Sequence, residues 1–213
     1  SGRALLLLVG IFGCNSKAPE PPALGVLTAG APMQKRLLPG ESHRYTLALV
    51  EPQIAELSLE QRGVDLRLSC VAEGALTMGV ANHRHSSLGT ESMVLDLPAG
   101  TYSVVVEAVR TGAPAGDYLL GLRLDPPDDP RAKARAAADE HARQGAAAWA
   151  ALKAERIAAA EQSYEAAQAA WTELGDDRRL AEAEQLRCQI AHRQGHAKVA
   201  LERCIRARLM AER

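Results

Sequence analysis

The chain has 213 residues, a formal net charge of −1 and an aromatic content of 3%. Near-neutrality removes the electrostatic case for nucleic acid, and so few rings leave little on which bases or sugars could stack. We therefore expect no nucleic-acid partner and no cofactor, in a chain long enough for one large domain or two small ones.

The first element is an export signal. Arg3 precedes an apolar run over residues 4–13 that ends on Cys14. A charged start, a short apolar stretch and a small residue at the exit define a secretory signal, well short of the roughly 20 residues that span a bilayer. Ile11-Phe12-Gly13-Cys14 resembles the lipobox of bacterial lipoproteins, with Phe12 departing from the pattern. That resemblance implies lipid attachment at Cys14, a membrane contact through the lipid, and a location in the bacterial envelope on its periplasmic or cell-surface face. Residues 1–14 are thus expected to be a signal peptide. Residues 15–23, polar and rich in proline, are expected to be a tether that cannot fold alone. Because the sequence opens on Ser1 and closes on Arg213 within a helical pattern, we expect it to be a piece of a longer chain.

Residues 24–124 alternate in twos. Tyr45, Leu47 and Leu49 share one face, as do Leu66, Leu68 and Cys70, with Asp65, Arg67 and Ser69 opposite. Similar runs occupy residues 54–59, 93–97, 102–106 and 118–124. Pro39-Gly40, Glu73-Gly74, Pro98-Ala99-Gly100 and Pro114-Ala115-Gly116 punctuate them. Short alternating strands at this spacing predict an antiparallel β-sandwich or jelly roll. Cys70 reads as a small buried hydrophobe.

Residues 125–130, Asp-Pro-Pro-Asp-Asp-Pro, predict a linker between separable halves. No proline follows, and Ala, Glu, Gln, Arg and Leu dominate residues 131–213, so that part is helical. An internal repeat runs through it: Ala160-x3-Tyr164-x2-Ala167 recurs forty residues later as Ala200-x3-Cys204-x2-Ala207. Gly175 and Gly195 mark turns. Repeated helix pairs with small residues at fixed places predict an α-solenoid.

Those helices resemble tetratricopeptide repeats. Ala181, Ala183 and Cys188 match the small positions of a first helix, and Gly195 matches the turn. Ala200, Cys204 and Ala207 match the packing positions of a second helix, and Leu174-Gly175-Asp176-Asp177 is similar to the loop of a longer variety. Glu184, Arg187 and Ala191 depart from the pattern, standing where the family has large apolar or aromatic residues. The β half resembles the pre-peptidase C-terminal domain through residues 39–45, 64–68 with Glu73-Gly74, and 98–106. This order of domains resembles the front of CHAT proteins, which carry a caspase-like protease domain at the C-terminus.

Residues that suggest chemistry are few. Cys188, His192 and His196 are spaced like a metal stripe, but Gly195 interrupts the helix between the histidines. His83-Arg84-His85 reads as an exposed loop, and Asp65 lacks the six to eight oxygens that calcium takes. No nucleophile elbow is present. Arg178, Arg179, Arg187, Arg193, Arg203, Arg206 and Arg208 alternate with glutamates and read as a solvated helix face. Cys188 and Cys204 lie at nearly the same distance from Gly195, so we expect them to touch. A bond between them is not expected, because it needs Cα atoms within about 7 Å while packed helix axes usually sit 8–10 Å apart.

The resulting expectation is a non-catalytic, envelope-anchored scaffold whose helical repeats bind a protein or peptide in their groove. The alternative is the regulatory front of a CHAT protease whose catalytic domain lies elsewhere.

Overall fold

A computed structural model describes residues 22–74, 76–82, 87–150 and 154–212. Cys14 with its lipobox, and His83, Arg84 and His85, lie outside the described residues. Eight strands come first: β1 (Met33–Leu37), β2 (Ser42–Leu49), β3 (Gln53–Arg62), β4 (Leu66–Ala72), β5 (Thr77–Ala81), β6 (Leu88–Leu97), β7 (Gly100–Ala108) and β8 (Gly116–Asp125). They form two four-stranded antiparallel sheets, in the orders β1-β8-β3-β6 and β2-β7-β4-β5. Period-two patterning places Tyr45, Leu47 and Leu49 of β2, Leu57 and Leu59 of β3, and Leu66, Leu68 and Cys70 of β4 in one core between the sheets. Polar atoms also cross that core: the hydroxyls of Tyr45 and Tyr118 bond to each other, and His43 Nδ1 lies 2.7 Å from the Tyr118 hydroxyl. Burial raises the Tyr118 phenol far above its ordinary range, so it remains a neutral link.

Two strands escape the alternation pattern. β1 exposes Gln34, Lys35 and Arg36 in succession, and both β1 and β5 are outer strands with one neighbour each. An outer strand can be held by its backbone ladder with little apolar patterning.

Four helices follow: α1 (Pro130–Ala150), α2 (Ala154–Leu174), α3 (Asp177–Arg193) and α4 (Ala197–Ala211). Asp129 caps α1, its Oδ1 accepting from the backbone N–H of Arg131 at 2.8 Å and of Ala132 at 3.2 Å, with Pro130 as first helical residue. Gly175 and Gly195 end α2 and α3 at φ of +68° and +79°. In each case the glycine N–H and the next N–H turn back onto the helix carbonyls (Thr172 and Trp171; His192 and Ala191), a Schellman turn that needs the left-handed conformation. The chain thereby folds into two hairpins, α1–α2 and α3–α4, with α2 against α3.

Residues 125–130 predict a linker between separable halves; in the structure the two halves touch. Ile54 of β3 and Val94 of β6 pack on Ala132 and Ala136 of α1. The outer edge of β6 is also met by helical side chains. The Val94 N–H donates to Asp139 Oδ2 at 2.6 Å, and Arg143 donates to the Val94 carbonyl at 3.1 Å. Arg179 of α3 donates to the Ser92 carbonyl at 3.0 Å and pairs with Asp139 at 3.1 Å. Asp139 and Arg179 are both buried. Arg179 therefore leaves the solvated face assigned to it, because β6 offers carbonyls there that need donors.

Candidate functional site

The residues of the internal repeat lie inside the hairpins. Ala160, Tyr164 and Ala167 are buried on α2. Ala200 and Ala207 are buried on α4 with Cys204 half-buried beside them, Cys188 is buried on α3, and Gly195 forms the turn. The close approach they allow differs between hairpins. On α1, a Cβ added at Gly145 would sit 3.0 Å from the Tyr164 ring, so that glycine is the seat of the tyrosine. Forty residues on from Tyr164 stands Cys204, and it is bonded to Cys188 with the Cα atoms 5.3 Å apart. The contact between the two cysteines is as expected; the bond is not. Typical axis separations misled there, since Ala191 and Ala200, packed beside the bridge, bring the backbones nearer than larger side chains would allow.

Between α2, α3 and α4 runs a network of charged side chains. Arg187 donates to Glu161 at 2.7 Å, to Glu165 at 2.8 Å, and to Gln168. Glu184, fully buried, accepts from Gln168 at 2.7 Å and from Arg206 at 2.9 Å. Arg203 reaches Glu161 at 2.6 Å. Arg187 is buried too, which corrects its placement on a solvated face. Glu184 and Arg187, two of the three residues that depart from the tetratricopeptide pattern, thus join the hairpins by paired charges. Such pairs add little net stability but penalise any arrangement that leaves one of them alone.

On the side turned away from α3, no helix packs on α4 among the described residues. Leu201, Ile205 and Leu209 are 63%, 51% and 55% exposed. Spaced four apart, they form one apolar stripe. Arg208 lies beside the stripe, 81% exposed and paired with Glu212 one turn on. The first helices of the hairpins, in contrast, turn toward the sandwich through Asp139, Arg143, Arg178 and Arg179. A cleft of about 360 Å³ opens at that junction, lined by Met78, Leu95, Lys133, Glu140 and Arg143 among others.

Among the described residues the three cysteines are sequestered. Burial pushes the Cys70 thiol up to about 12, leaving it protonated and a poor nucleophile. The Cys188 sulfur is held in the disulfide with Cys204; His192 is exposed and His196 precedes α4. Asp65 sits in the turn before β4, its carbonyl accepting from the Val109 N–H at 3.0 Å. Among the described residues no three His, Cys, Asp or Glu side chains converge as metal ligands, and no helix is long and apolar enough to cross a membrane.

No family model and no curated protein matches the sequence. Solved structures similar to part of the chain include the pre-peptidase C-terminal domain of collagenase from Bacillus anthracis. It is 14% identical with a TM-score of 0.42, over 49% of this chain and 99% of that one. A periplasmic inhibitor of g-type lysozyme from Aeromonas hydrophila is 16% identical with a TM-score of 0.36, over 47% and 98%. A carbohydrate-binding module, solved with calcium and xylotriose, is 9% identical with a TM-score of 0.32, over 46% and 93%. The first of these is of the domain family that the strand motifs resemble.

Proposed function

We propose that this chain is a non-catalytic protein-interaction module of the bacterial envelope, held to the membrane by lipid on Cys14 and binding a protein partner through its tetratricopeptide-like hairpins. One observation carries the reading: a stripe of leucine and isoleucine stands uncovered on α4, on a helix otherwise tied down by charge pairs and a disulfide. A rigid apolar surface of this kind is what protein partners bury. The disulfide supports export, since such bonds persist in oxidising compartments. The sequestered thiols support a binding role over nucleophilic chemistry. The working surface in this reading is the α4 side, because the first helices already engage β6.

The test is photo-crosslinking in cells, with a crosslinking residue placed at Leu209 and, as control, at Val50, which is 97% exposed on the sandwich. A discrete protein adduct from position 209 and none from position 50 is the expected result. No adduct from position 209 would overturn the proposal.

A further inference from the structure

The internal repeat says more about what the α4 stripe receives. On α2, the residues that receive α3 are Glu161, Glu165 and Gln168, and each of them bonds Arg187. Gln168 also donates to Glu184, three residues before Arg187. Forty residues further on, the offset that carries Ala160, Tyr164 and Ala167 onto Ala200, Cys204 and Ala207, those three positions are Leu201, Ile205 and Arg208. The helix-receiving face of α2 therefore recurs on α4 with its chemistry changed. Two carboxylates that hold a guanidinium become two apolar side chains, and the amide that meets a glutamate becomes an arginine. On α2 the face is bridged to α3 through Arg187, with Glu161 and Gln168 half-buried and Glu165 still exposed. On α4 Leu201, Ile205 and Arg208 are all exposed, and no other helix bonds to them among the described residues.

We propose that the α4 face is a docking site for an amphipathic α-helix of another protein, laid across α4 as α3 lies across α2. Such a helix carries an apolar residue where α3 has Arg187 and an acidic residue where α3 has Glu184. The apolar residue is dictated by Leu201 and Ile205, which would strand a buried charge. The acid is dictated by Arg208, whose present partner, Glu212, is an exposed neighbour on the same helix and exchanges at little cost. This inference rests on the interaction-module reading and narrows it to one face and one class of ligand.

The probe follows from the chain itself: a peptide of residues 177–193 with Arg187→Leu and Cys188→Ser, lactam-bridged on its solvent face, its helicity verified by circular dichroism. Its binding to the full chain is read by fluorescence anisotropy. The expected result is saturable binding that weakens at least about ten-fold when the peptide keeps Arg187, about 1.4 kcal/mol. A similar loss is expected when the chain carries Ile205→Glu, and a smaller one when the peptide carries Glu184→Gln. Equal binding of the Arg187→Leu peptide and of the peptide that keeps Arg187, binding untouched by Ile205→Glu, or no binding by the helical probe overturns the proposal. So does a concentration-dependent dimer of the full chain that Ile205→Glu abolishes in sedimentation, since a second copy would then occupy the face, and so does a longer form of the chain whose own following helix protects Leu201 and Ile205 and blocks the peptide. A crosslinked partner at position 209 with a failed peptide would sink this inference and leave the interaction-module reading intact.

Discussion

The two helical hairpins place their helices at close quarters by different means. In the first, Gly145 opens a seat for the Tyr164 ring, and complementary volumes hold the pair together. In the second, the residue in the tyrosine's place is Cys204, and a covalent bond to Cys188 does so. Both also send a side chain to β6: Asp139 from the first and Arg179 from the second, paired with each other. One repeat position thus accepts either a packed ring or a bridge, provided that the facing residue is matched to it. The two hairpins share a clamp on the sandwich and differ in how each is closed.

The largest effect is expected from breaking what they share. Asp139→Ala removes the acceptor for the Val94 N–H and leaves the buried Arg179 with only its longer carboxylate contact, to Glu182 at 3.7 Å, at a cost of about 3 kcal/mol. Urea denaturation measures this, and a loss below about 1 kcal/mol would dissolve the shared clamp. It would also restore the picture of two independent halves.

Next comes the bridge. Replacing both Cys188 and Cys204 by Ser opens a loop whose ends are 16 residues apart, for which about 3 kcal/mol is expected. Hydrogen exchange localises the loss: amides of α4 should exchange faster while those of α1 and α2 keep their protection. Uniform loosening of both hairpins would contradict their separate means of closure.

Gly145→Val is expected to cost about 1–3 kcal/mol, because its side chain enters space held by the Tyr164 ring. Pairing it with Tyr164→Leu should recover part of that cost. The double-mutant cycle reads the coupling directly, and additive costs would mean that the glycine is not the seat of the ring. The smallest effect concerns pH and the first hairpin only. The N–H groups of Ala132 and Arg131 hold the Asp129 carboxyl below its usual range. A depressed folded value stabilises above the unfolded pKa, and that contribution is lost as pH falls through the folded one. Asp129→Asn should flatten the acid limb of a stability profile slightly, and an NMR titration of Asp129 at or above the ordinary carboxylate range would remove the argument.

Much of the architecture was legible in the chain. Alternation at Tyr45, Leu47 and Leu49 and at Leu66, Leu68 and Cys70 announces two half-buried sheets, and the structure has them. Gly175, Gly195 and the Asp129-Pro130 cap announce helix ends, and they are there. β1 was not legible, because Gln34, Lys35 and Arg36 carry no apolar period. The buried arginines were misread for a definable reason. Composition treats a charge that alternates with glutamates as solvated, yet Arg179 and Arg187 stand four residues either side of the buried Ala183, on its face of α3. Charges on the apolar stripe of a helix are a sign of pairing inside. The α4 stripe could also have been found by carrying the forty-residue offset onto Glu161 and Glu165, where it predicts a change from acid to apolar.

The grip on β6 has a consequence in time. The edge of that strand is a row of backbone donors and acceptors able to recruit a strand from another chain, and it is quieted by side chains from much later in the sequence. Ser92 must wait for Arg179, 87 residues on, before its carbonyl is occupied. A chain that emerges N-terminus first therefore presents a complete sandwich whose margin is covered at Val94 once α1 has formed but is still open at Ser92 until α3 arrives. During that interval aggregation competes with folding. Truncation before α3 would make the interval permanent, turning a guarded domain into one prone to edge-to-edge assembly.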